Sequence, residues 1–187
     1  MAAPQVHWGA ALFSGLEFFN MTATTKTSPD AIDAVTGALE SYAQRGVFRG
    51  FSKTGVKNGK ATFRMLWHRE RFFDLILDAR RATIRIPVVL PEVPAQSAMY
   101  REFKKYVLGR QVETLPDHRR IDPAKVSVKY RNSRGEIALT FSVLDGDFEY
   151  GARKLIHLVH EIYLDFLQDG PYYDYMVEHL GLDPDAV

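Results

Sequence analysis

The sequence predicts an α+β fold in the order α-β(3-4)-α-β2-α, an antiparallel sheet of about five to six strands with helices packed on one face. Three observations carry this reading. Apolar residues recur at helical spacing in residues 32–42, 99–107 and 155–166. Between these segments apolar and polar residues alternate, as in strands with one covered face. The alternating runs are joined by short turns, so consecutive strands pair antiparallel.

The first helix opens at Ser28-Pro29-Asp30, where Ser can cap, Pro suits the first turn and Asp favours the positive helix end. Ile32, Val35, Leu39 and Tyr42 form its stripe, and Gly46 is the expected stop. Strands are expected at 47–54 and 60–67 around Asn58-Gly59, and at 72–77 and 83–88 around Ala79-Arg80-Arg81. Pro87 has no N–H for a ladder, so the last of these strands is expected to end early or to lie at an edge.

A short connector with Pro91 and Pro94 leads to a helix over 95–108, with Met99, Phe103, Tyr106 and Val107 inward and Gly109 as stop. A polar, basic loop follows over 111–123. Val126, Val128 and Tyr130, then Ile137, Leu139, Phe141 and Val143, give the clearest strand pair. After Asp145-Gly146-Asp147 the segment 148–168 is the clearest helix, and Leu155, Val159, Ile162 and Phe166 should lie against Val128, Leu139 and Phe141. Gly170-Pro171 is its expected stop, and 171–180 reads as a short final helix.

The 187 residues suit a single domain over 1–187, with an apolar N-terminal segment at 1–28 and an acidic C-terminal appendage at 171–187. There is no cysteine, which excludes disulfides and thiol chemistry. The apolar start lacks a basic residue before Lys26, unlike a secretory signal, and no apolar run is long enough for a membrane span. A soluble, cytoplasmic protein is the expectation.

Charge is segregated along the chain. Residues 45–134 hold 21 Lys and Arg against 8 Asp and Glu, whereas residues 135–187 hold 2 against 11. Such asymmetry is a statement about partners. If the strands bury Phe63, Ile84, Val128 and Leu139, then Arg64, Arg85, Lys129 and Arg131 emerge on the opposite face beside Thr62, Thr83, Ser127 and Thr140. That basic face is the candidate binding site. Asp165, Asp169, Asp174 and Glu178 are the carboxylates expected to answer it, within one molecule or across a homodimer.

Chemistry-bearing motifs are sparse. His157, His160 and Glu161 are the nearest approach to a metal-ligand set, but the order H-x-x-H-E does not match the H-E-x-x-H of zinc proteases. On a helix His157 and Glu161 fall opposite the apolar stripe, so a solvated His–Glu pair is expected, with no metal and no cofactor. Glu70, Asp74 and Asp78 are candidates for acid–base work, against strand-edge solvation. No G-x-S-x-G, P-loop or G-x-G-x-x-G occurs, so no catalytic residue is assigned.

The element order resembles the type III secretion chaperone-like fold and the bacterial YbjN-type proteins. The resemblance lies in topology and is carried by residues 29–45, the strands up to Pro91, and residues 95–108, 125–144 and 148–167. It implies dimerisation and binding of an extended protein segment, and it transfers no functional residue. The expected function is therefore an interaction module that binds a protein or peptide without catalysis. Two alternatives stay open: a nucleic-acid-binding protein using the basic face, and a small-molecule-binding protein or enzyme with a pocket between sheet and helices.

Overall fold

The computed structural model describes residues 28–168 and 172–183. The N-terminal apolar segment, apart from Ser28, and the Gly170-Pro171 stop lie outside them. Six strands form one antiparallel sheet in the order β1-β2-β3-β4-β6-β5. Their bounds are β1 Gly50–Lys57, β2 Lys60–Trp67, β3 Arg71–Asp78, β4 Thr83–Leu90, β5 Val126–Ser133 and β6 Glu136–Val143. The helices are α1 Ser28–Gln44, α2 Ala98–Gly109, α3 Phe148–Glu161 and α4 Tyr173–Leu180. The α+β class holds, with the helices on one side of an open sheet.

Alternation dictates which side chains the helices cover. Phe63, Met65, Phe73, Leu75, Leu77, Ile84, Ile86, Leu139 and Phe141 are fully buried beneath the helical layer. Leu155, Val159, Ile162 and Phe166 are buried as their spacing predicts. Gly151 lets α3 lie close: a Cβ there would stand 3.0 Å from Val143 Cγ2 and 3.3 Å from Ile84 Cδ1. Asp147 caps the helix, its side chain accepting from the Tyr150 N–H at 3.1 Å. Past Glu161 the helix continues through a wide π turn, Ile162–Phe166, where the Leu167 N–H donates to the Ile162 carbonyl.

The Asn58-Gly59 turn has φ of 53° and 76°, the left-handed pair that a two-residue hairpin demands, and β2 spans the predicted residues. β1 begins three residues later than expected. Phe48 leaves the strand path to pack edge-on against Trp67 at 5.2 Å.

Pro87 requires a correction. It sits in β4, between β3 and β6, and the strand runs on to Leu90. Two local features remove the need for its N–H: β3 pairs with β4 only from Ile76↔Arg85 to Asp78↔Thr83, and the β4–β6 register shifts between Ile86 and Leu90.

Candidate functional site: the bare face of the sheet

The side chains that alternation turns away from the core form a face on which, among the described residues, no helix lies. Its β2–β3 half carries Lys60, Arg64, Leu66, Phe72, Asp74, Ile76 and Asp78, with Phe72 66% exposed. The register aligns Arg64 with Asp74, and the guanidinium donates to both carboxylate oxygens at 2.7 and 2.8 Å. That hydrogen bond holds Asp74 below the usual carboxylate range. Asp78 pairs with Lys60 at 3.2 Å. Burial alone would raise its pKa, but the Lys60 ammonium and the Arg81 N–H outweigh burial and keep it low. Glu70 pairs with Arg49 outside this row. Asp74 and Asp78 are thus tied to cations that favour the ionised form, the opposite of what a general acid needs.

The β4–β6–β5 half differs. Thr140 lies in register between Arg85 on β4 and Lys129 on β5, and Ala138 lies opposite Arg131. The small residues Ala138 and Thr140 of β6 form a floor, with the long cations rising on either side. Ala138 is only 5% exposed although it faces away from the helices. The resulting open groove, about 550 Å³, is lined by Arg81, Thr83, Arg85, Lys129, Tyr130, Arg131, Ala138 and Thr140. A smaller depression of about 210 Å³ shares Arg85, Arg131 and Ala138 and ends at Glu136. Among the described residues no carboxylate lies within ion-pair distance of Arg85, Lys129 or Arg131. Of the four cations named from the sequence, three share this groove, and Arg64 stands apart with its own partner.

The acidic C-terminal third neutralises another region. Glu161 accepts from Arg119 at 2.7 Å and lies 3.4 Å from Arg110; Asp165 completes the cluster through Arg119. Lys125 lies 3.2 Å from Asp147 and 3.7 Å from Asp145. Asp165 therefore answers the basic loop rather than the sheet face. Asp174 and Glu178 lie on α4, Glu178 beside His179, and Asp169 is outside the described residues.

Glu161 is also a correction to the expected solvated His–Glu pair. Its side chain is 15% exposed beneath the loop and its partners are arginines. His157 Nδ1 lies 3.4 Å from the His118 carbonyl. His160 meets a residue that no spacing along the chain singles out: its Nδ1 is 3.2 Å from His68 Nε2. His68 stacks on Tyr163 at 4.5 Å, and His160 lies parallel to Trp67 at 6.1 Å. Burial, with His160 and Arg69 nearby, pushes the His68 pKa down to about 3; burial also lowers His157 and His160. Tyr163 donates to the Val89 carbonyl at 2.8 Å and accepts from Arg71, and burial pushes its phenol up to about 12. Among the described residues no three His, Asp or Glu side chains cluster as a metal site.

Comparison with known proteins finds no match: no family model, no curated protein and no solved structure is similar to this chain. Among the described residues no helix is long and apolar enough to cross a membrane.

Proposed function

We propose that this chain is a non-catalytic interaction module that docks an acidic segment of a protein partner on the β4–β6–β5 half of its bare face. The observation that carries the reading is the set of cations, Arg85, Lys129 and Arg131, that have no carboxylate partner among the described residues and stand around a floor of small residues. Fixed positive charge on both sides of a groove selects negative ligands and speeds their encounter. The resemblance in element order agrees with a protein-segment ligand.

A nucleic acid fits the groove less well. Single strands are held by aromatic platforms as well as charge. Among the described residues Tyr130 is the one aromatic at the groove, and its ring turns to the helical side, 6.5 Å from Phe103. Phe72 is exposed but lies on the self-paired half, with Arg64 over its ring at 5.8 Å.

The test is binding of a glutamate-rich peptide and of a single-stranded oligonucleotide of equal charge, at low and moderate salt. The Arg85→Glu/Lys129→Glu/Arg131→Glu variant is measured beside the parent. The peptide should bind the parent and lose most of its affinity to the variant. Equal peptide binding by both proteins would overturn the reading, and tighter, steeply salt-dependent binding of the oligonucleotide would replace it with the nucleic-acid alternative. Concentration-dependent self-association abolished by the same substitutions would instead make a second copy the occupant.

A further inference from the structure

We infer that the acidic segment is bound in extended form along β6, with carboxylates at alternate positions meeting Lys129 and Arg131 on one wall and the intervening side chains turned toward Arg85 on the other. This rests on the docking proposed above and adds the conformation and spacing of the ligand. β4 and β5 flank β6, so their backbones stand roughly 9–10 Å apart, and the side chains of Arg85, Lys129 and Arg131 narrow that width. An α-helix with its side chains measures about 10–12 Å across and would ride above the walls without reaching the floor. An extended backbone fits between them.

Spacing gives the same answer independently. Lys129 and Arg131 are two residues apart on one strand, a repeat of about 6.7 Å. An extended ligand repeats its own same-side residues at that interval, so acids at i and i+2 meet both cations in register. The intervening side chains point away from the floor or toward the other wall, where Arg85 stands across Thr140. Thr83 and Thr140 supply hydroxyls beside the cations, able to donate to carboxylate or to ligand carbonyls. Glu136, at the end of the smaller depression, repels a carboxylate there and sets one limit to the acidic stretch.

The floor makes the inference testable apart from charge. Ala138 is covered yet belongs to the uncovered face, so a larger side chain there must rise into the groove. The experiment measures fluorescence anisotropy of a labelled alternating Glu-Thr peptide against a helix-forming alanine peptide bearing equal glutamates at i, i+4 spacing. Proteins are the parent, Arg85→Glu/Arg131→Glu, Ala138→Leu and Thr140→Leu, each checked for parental circular dichroism. The alternating peptide should bind the parent more tightly than the helical one. Its affinity should fall about tenfold or more in the charge-reversed protein and in a floor-filled one. Two floor variants guard against one that fails to fold. If both fold and neither weakens binding, or if the helical peptide binds as well, the extended-groove inference falls while acidic docking stands. Indifference of the alternating peptide to Arg85→Glu/Arg131→Glu overturns the inference and the docking together.

Discussion

The β2–β3 half of the bare face and its β4–β6–β5 half arise from the same alternation, but they treat charge differently. In the first, register brings Asp74 to Arg64 and Asp78 to Lys60, so each cation is answered by its cross-strand neighbour. In the second, β6 offers Ala138, Thr140 and Ser142 to the neighbouring strands, and among the described residues no carboxylate pairs with Arg85, Lys129 or Arg131. The basic loop is a third case, silenced from a distance by Glu161 and Asp165. Net charge near zero therefore hides three arrangements. Of these three, the groove is the one whose cations lack a carboxylate partner among the described residues.

The largest effect should come from exposing the loop. Glu161 and Arg110 have side chains 15% and 12% exposed, so Glu161→Ala leaves largely buried positive charge unpaired. The cost should be about 3 kcal/mol, read by urea unfolding. A loss no larger than that of a surface mutant would mean that the loop is solvated and the contrast with the groove is false.

A smaller, pH-dependent effect should appear at His68, whose folded pKa of about 3 lies below its ordinary 6.5. The unfolded chain takes up this proton near 6.5 and the folded one does not. The stabilisation is thus complete above 6.5 and is lost as pH falls from there toward 3. The slope is at most about 1.4 kcal/mol per pH unit, reduced by the partial exposure of the ring. His68→Phe, which keeps a ring against Tyr163, should flatten the melting temperature between pH 7 and pH 5 relative to the parent. An unchanged profile would exclude His68 as the proton acceptor.

The smallest effect on stability should follow Asp74→Ala, because the Arg64–Asp74 pair is partly exposed; roughly 0.5 kcal/mol is expected. Its informative consequence is electrostatic. Freeing Arg64 should give the β2–β3 half measurable affinity for an acidic peptide, detected by titration against the parent. No gain would show that an open cation alone does not make a binding surface, and that the small-residue floor is required.

Much of this arrangement is legible along the chain. Alternation places Arg85, Lys129 and Arg131 on one face, and Asn58-Gly59 fixes where β2 begins. What alternation cannot supply is register. The partnership of Arg64 with Asp74 depends on a reversal over His68, Arg69 and Glu70, in which Arg69 and Glu70 hold φ of 54° and 53° without a glycine to announce it. Pro87 reads as a strand end because the sequence does not reveal that β3 leaves β4 beyond Arg85. Glu161 finds its arginines 42 and 51 residues away, so helical-wheel geometry misassigns its partner, and His160 meets His68 across 92 residues, a pairing that no local pattern carries.

The most direct test follows the arginine side chains themselves. Nε–H resonances of Arg64, Arg85, Arg119 and Arg131 can be assigned by substitution and followed by NMR as an alternating Glu-Thr peptide is added. The account predicts that Arg85 and Arg131 shift in a saturable way, while Arg64, held by Asp74, and Arg119, held by Glu161 and Asp165, stay in place. Equal shifts at all four, or shifts confined to Arg64 or Arg119, would contradict it.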